Sequence, residues 1–222
     1  METINQITKG AILLFVVVLC SCTKYNYIDG GLADGNHDCS MWDYFHLQPE
    51  DWDSTLLMIE HAGMKEWFDG SRKEQITFLG ITNLTIMRFI LDHNYAATSE
   101  SEKWQGVKGI PADSCAAILK RLIIPQRLTV EEVPRGKREK KSGPDGIYWE
   151  LTGGATYTTL KGKVSCWSYQ MDYSIIPEGG EVTLFIAREG TRYEGDRIVS
   201  TDIRTTTGVV QALSYNFNFK NL

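Results

Sequence analysis

Ile76–Phe89 reads ITFLGITNLTIMRF. The run Gln75–Leu79 carries β-branched and aromatic residues and reads as a strand. Gly80-Ile81-Thr82-Asn83 interrupts it. Leu84–Leu91 then changes period, because Leu84, Met87, Ile90 and Leu91 fall on one helical face. Asn83 stands where an N-cap belongs, which also accounts for the glycosylation-like triplet Asn83-Leu84-Thr85. A strand that runs straight into a helix makes this the pivot of the chain.

Helices are expected on its N-terminal side. Ser40–His46 (SMWDYFH) reads as a short helix with Ser40 as N-cap. After Pro49, the residues Trp52, Leu56, Ile59 and Ala62 share a face, and Gly63 is a stop. Met64–Phe68 adds a further turn. On the C-terminal side, Pro111–Ile123 is a helix with Ala112, Cys115, Ala116, Leu119 and Leu122 inward, and Arg127–Val133 reads as a strand. Arg135–Gly146 (RGKREKKSGPDG) reads as a basic, solvated loop, because it has no amphipathic period and no interleaved aromatics; contact with anionic lipid or glycan is the alternative. Strands follow at Tyr148–Leu151, Thr156–Leu160, Val164–Tyr169, Val182–Ala187, Ile198–Ile203 and Val209–Leu213, divided by glycines. The last two read as a closing hairpin with Arg204–Gly208 as its turn and Val199, Thr201 and Ile203 on one face. Helices mostly first and strands mostly last predict an α+β fold.

The first 21 residues read as an export signal. Lys9 is followed by the apolar run Ala11–Leu19, which spans about 14 Å as a helix, far short of a bilayer core. The run ends in Leu19-Cys20-Ser21-Cys22, which resembles the lipobox of bacterial lipoproteins. That resemblance implies cleavage before Cys22, its lipidation, and lipid anchoring at an outer membrane, on the cell-surface or the periplasmic side. Residues 22–39 then read as a flexible tether and residues 40–222 as one domain.

A net charge of −5 excludes a nucleic-acid partner, which needs a concentrated positive surface. No G-x-S-x-G, H-E-x-x-H or P-loop pattern occurs, so no catalytic residue, cofactor or metal ligand is expected and the chain reads as not an enzyme. The four histidines, His37, His46, His61 and His93, read as surface or cap residues. Asp172 and Asp202 would form a carboxylate pair only if the fold joined them. Asp53-Ser54-Thr55 resembles an O-glycosylation site of the Bacteroidetes type, but reads first as a helix cap. Cys39, Cys115 and Cys166 are too widely spaced for a zinc framework and read as free thiols, with one disulfide among the three as the alternative. Aromatics crowd the strand half, and Trp149, Tyr157, Trp167 and Tyr169 are the candidate ligand contacts if they form an exposed platform.

Three segments resemble the fasciclin (FAS1) domain in the family's order. Trp52–Gly70 is similar to its opening helix and "AG-hydrophobe" turn. Ile76–Phe89 is similar to its first signature, matching at Thr77, Phe78, Thr82 and Asn83, with Gly80-Ile81 in place of the usual Ala-Pro. Ile198–Leu213 resembles the second, through Asp202-Ile203 and Gly208-Val209-Val210, with Thr207 where Asn is usual and Gln211 where His is usual. The resemblance covers roughly residues 40–219 and implies a wedge-like β-sheet with packed N-terminal helices. The span 135–180 exceeds the pattern and implies an insertion. It also implies a non-catalytic role, as a lipoprotein of the Bacteroidetes type in cell adhesion or in binding a protein or glycan at the surface. An accessory lipoprotein of an outer-membrane, SusCD-like nutrient-uptake transporter complex is the alternative.

Overall fold

A computed structural model describes residues 34–177 and 179–222. The expected signal segment, Cys22 and most of the expected tether lie outside the described residues. Among the described residues, no helix is long and apolar enough to cross a membrane.

Among the described residues there are four α-helices, all in the first half of the chain or just past it: α1 (Met41–Leu47), α2 (Pro49–His61), α3 (Asn83–Ala96) and α4 (Ala112–Leu122). Strand β1 (Ile76–Gly80) lies between α2 and α3, and β2 (Ile123–Ile124) follows α4. The strand half supplies β3 (Gly136–Gly143), β4 (Gly146–Gly153), β5 (Ala155–Thr159), β6 (Gly162–Gln170), β7 (Val182–Arg188), β8 (Asp196–Thr205) and β9 (Gly208–Leu213). Seven strands form one sheet in the order β2-β1-β9-β8-β7-β6-β5. Only the β1–β9 pair in it is parallel. The sheet nearly closes, because the Leu160 N–H beyond β5 donates to Ile123 O of β2 (3.0 Å). The core fills this wedge. Phe45 stacks on Trp52 at 4.8 Å, and Phe68 meets Phe78 edge-on at 5.1 Å.

The pivot stretch folds as expected, with one reversal. β1 is buried throughout, and α3 follows at once. The face of Leu84, Met87 and Leu91, however, is turned to solvent (55%, 51% and 57% exposed). Thr85 and Ile86 are buried instead, with Phe89 and Ile90 packed against the core. Both faces are apolar, so period alone did not choose between them.

Thr82, not Asn83, is the N-cap of α3. The Asn83 side chain reaches to α2, where Nδ2 donates to Pro49 O and Glu50 O (2.8 Å each) and Oδ1 accepts from Ser54 N (2.7 Å). Glu50 O and Ser54 N are an acceptor and donor that an α-helix normally joins to each other. The amide thus ties the start of α3 to the first turns of α2. Asp53 and Ser54 accordingly lie inside α2 rather than capping it, since α2 begins at Pro49 after Gln48.

The closing hairpin forms, with a tighter turn than expected. Thr205 pairs with Gly208, leaving only Thr206 and Thr207 between the strands. Gly208 has φ +140°, and a Cβ there would stand 1.9 Å from Ile76 O, so this parallel contact admits no side chain. The register of β8 shifts between Ser200 and Ile203, where Asp202 takes φ +56°. The bulge breaks the alternation that the sequence predicts. Ile198 and Ile203 are both buried, and Val199 is exposed.

Three other expectations change. Arg127–Val133 is not a strand; Val130–Glu132 is a 3-10 turn closed by a Thr129/Glu132 capping box. Residues 35–39 are not a free tether, because Arg204 N donates to Gly35 O (2.7 Å), His37 N to Arg204 O (2.8 Å) and Thr206 N to Cys39 O (2.9 Å). The domain therefore starts before Ser40. Finally, Arg135–Gly146 is not a loop. It forms β3 and the turn of an antiparallel hairpin with β4, separate from the main sheet. Gly143-Pro144-Asp145-Gly146 makes the turn, and Glu139 bridges Lys137 (2.8 Å) and Lys141 (2.7 Å) along one face of the strand.

Candidate functional site

The β3–β4 hairpin is an arm laid over the outer face of the sheet. It leaves the sheet edge where Arg135 bridges Ser168, with Ser168 N donating to Pro134 O (3.1 Å) and Gly154 N to Arg135 O (2.9 Å). On β6 the side chains alternate. Val164 and Cys166 enter the core, and Trp167 and Tyr169 point the other way. Register places Trp167 opposite Phe185 and Tyr169 opposite Thr183, so these four share the outer face. Trp167 and Phe185 stack at 5.6 Å.

One arginine holds the arm across them. The Arg138 guanidinium lies 5.1 Å over the Trp167 ring, and Nη1 donates to Thr191 O (3.0 Å) and Tyr193 O. Its Nε is buried with no hydrogen-bond partner. At the root of the arm, Arg135 donates to Gln170 Oε1 (2.7 Å).

Two adjoining cavities remain between arm and sheet. One, about 220 Å³, is lined by Arg135, Lys137, Thr152, Ser168, Tyr169 and Gln170 among others. The second, about 210 Å³, is lined by Lys137, Arg138, Trp167, Tyr169, Phe185 and Glu194. Lys137 and Tyr169 belong to both, so the cavities form one cleft.

The four aromatic candidates are not one platform. Trp167 and Tyr169 meet in the cleft, but Trp167 is only 2% exposed, covered by Arg138 and Phe185. Gly195 closes over it as well, since a Cβ there would stand 2.4 Å from the indole. Tyr157 pairs with Val164 and packs against the core on the opposite face. Burial raises its phenol pKa. Trp149 sits on the arm, on the face it shares with Arg138 and Leu151 by register. Phe185 is not singled out by the sequence, and Lys137 and Arg138 stand out there only as part of a basic segment. The turn signal Gly-Pro-Asp-Gly before the alternating run from Ile147 is what could have found the arm.

Elsewhere, polar side chains brace the fold. Gln211 is buried; its Oε1 accepts from Asp202 N (3.0 Å), and its Nε2 donates to Leu128 O (3.0 Å) and Asp202 Oδ1 (2.9 Å). Asp202 Oδ1 also accepts from Val130 N (2.9 Å), so this carboxylate is a brace for the bulge. Thr207 Oγ1 accepts from Met41 N (3.0 Å), a donor with no partner within α1. His46 and His61 each lie 2.8 Å from a backbone carbonyl, and His93 stacks on Trp104 at 3.5 Å. Cys39, Cys115 and Cys166 are free; burial pushes the Cys115 thiol to about 11 and Cys166 to about 12. Among the described residues, no three His, Cys, Asp or Glu stand together as a metal site.

No protein-family model and no curated protein matches the chain. Among solved structures it is similar to the FAS1 domain pair of the insect cell adhesion molecule Fasciclin I, at 13% identity and a TM-score of 0.52. The match covers 82% of this chain and 52% of that one, so the chain spans about half the length of that structure. The fold is FAS1-like. The two segments that resemble the family's signatures meet in the parallel β1–β9 contact, with the closing hairpin joined to it. In this FAS1-like domain Gln211 and Thr207, the departures from the family's usual residues, take up bracing roles of their own.

Proposed function

We propose that this FAS1-like chain is a non-catalytic binding domain, held at a membrane by a lipid on Cys22, that acts in adhesion or in capture of a surface ligand through the cleft beneath the arm. The cleft carries the reading. A rigid, buried sheet presents an aromatic face, and a separately folded arm covers it without filling it. Anchoring at an outer membrane, on its surface or periplasmic side, follows from the lipobox-like end of the apolar run. Two measurements test this. Cys22→Ala should move the protein from the membrane to the soluble fraction; continued membrane attachment refutes the anchor. Crosslinking in membranes should recover a partner with the native protein and lose it with Tyr169→Ala; equal recovery places binding elsewhere.

A second reading is an accessory role beside an outer-membrane transporter. The outward apolar face of α3, with Leu84, Met87 and Leu91 and also Tyr95 at 94% exposure, favours it. Co-purification of a transporter that is released by Met87→Glu supports this role. Recovery of the transporter unchanged by that substitution removes the role from α3.

A further inference from the structure

We infer that the cleft takes a saccharide chain bearing negative charges, with uronate-type carboxylates as the best match. The inference rests on the cleft being the binding site and names its ligand class.

Charge gives the first argument. The chain has a net charge of −5. Yet Arg135, Lys137, Arg138, Lys140 and Lys141 fall within Arg135–Gly143 beside a single acid, Glu139. Three of these cations, Arg135, Lys137 and Arg138, line the two cavities, against one carboxylate, Glu194. A positive cleft on a negative molecule focuses an anionic ligand onto one place.

The second argument concerns which groups can exchange partners. Lys137 stands at the middle of the cleft, 59% exposed, and pairs with Glu139 Oε1 at 2.8 Å. Glu139 keeps Lys141 on its other oxygen at 2.7 Å, and these two lysines hold its pKa down to about 2. An exposed pair of this kind is weak, so Lys137 can turn to an incoming carboxylate while Glu139 stays neutralised. Arg138 adds a buried Nε donor with no partner, at the second cavity.

Shape supplies the third. The Tyr169 and Phe185 rings are only half-buried and border the same cavity. Aromatic rings of this kind receive the C–H faces of a sugar. Beside them, the Thr152 hydroxyl donates to Lys137 O (3.3 Å) and keeps its oxygen as an acceptor for a sugar hydroxyl. Two cavities that share Lys137 and Tyr169 fit successive rings of a chain, with the shared lysine between them.

The full chain carrying Cys22→Ala would be titrated with oligogalacturonate, its methyl ester, a sulfated dextran oligomer and poly-L-glutamate. Calorimetry and tryptophan fluorescence report the binding. The expected result is oligogalacturonate binding that weakens with salt and falls at least tenfold in both Lys137→Glu and Tyr169→Ala, with the ester at least tenfold weaker. Unchanged melting temperatures of both surface variants confirm that the fold is retained. Sulfated dextran bound as tightly as the uronate keeps the anionic class and overturns carboxylate selectivity. Equal binding of the ester overturns the anionic class and leaves the cleft as a neutral sugar site. Binding of poly-L-glutamate alone assigns an acidic protein instead. Uronate binding that neither variant weakens overturns the cleft itself, and no binding of any saccharide overturns the inference.

Discussion

The seam where β9 meets β1 and the arm over β6 and β7 are held in opposite ways. At the seam, short buried side chains satisfy backbone groups, and Asn83 does the same where α3 meets α2. Gln211 answers Asp202 and Leu128, Thr207 answers Met41, and Asn83 answers three groups of α2. The arm is held mainly by the long side chains of Arg135 and Arg138 and by a few backbone bonds at its root. A buried unsatisfied group costs about 1–3 kcal/mol, whereas a hydrogen bond that water can replace contributes about 0.5–1.5 kcal/mol. The seam is therefore the more firmly held of the two, and the arm is the one expected to open first.

Substitutions should separate the two regions. Gly208→Ala should have the largest effect, because its Cβ overlaps Ile76 O; a loss beyond about 4 kcal/mol, seen as failure to fold, is expected. Soluble protein with native melting would show that the seam yields. Gln211→Ala should cost about 3 kcal/mol in urea unfolding, since it orphans Asp202 N and Leu128 O. Asn83→Ala, less buried, should cost about 1–2 kcal/mol in the same assay.

The arm should respond differently. Arg138→Ala should change global stability by less than about 1 kcal/mol, yet hydrogen exchange across β3 and β4 should quicken markedly and Trp167 emission shift to the red. Unaltered exchange would mean that the arm is as fixed as the seam. The smallest effect concerns Glu139. Its folded pKa is depressed by Lys137 and Lys141, so its contribution is present above the ordinary value of 4.5 and is lost as pH falls toward about 2. Exchange in β3 should rise over that window while the seam is unaffected.

Much of the fold is legible in the chain. Ser40 caps α1, accepting from Asp43 N (3.1 Å), as its position before MWDYFH implies. Trp52, Leu56 and Ile59 are buried at helical spacing, and the last two strands pair as expected. The cleft is much less legible. Trp167 and Tyr169 are visible as aromatics, but their alternation cannot tell that an arm covers one and leaves the other half open. The arm itself was hidden by its charges, which suit a solvated loop as well as a strand until Glu139 is seen bridging two lysines.

The sequence by itself determined the helices on either side of β1, the pivot from β1 into α3 and the terminal hairpin. Each of these depends on local periodicity, turn chemistry or spacing. Only the tertiary structure decided which apolar face of α3 is buried, that Asp202 sits in a bulge braced by Gln211, and that a basic hairpin lies over Trp167. These depend on partners remote in the chain. Asn83 must find Pro49, Gly208 must pass Ile76, and Arg138 must reach Thr191. A repeat of two or 3.6 residues carries no record of such meetings.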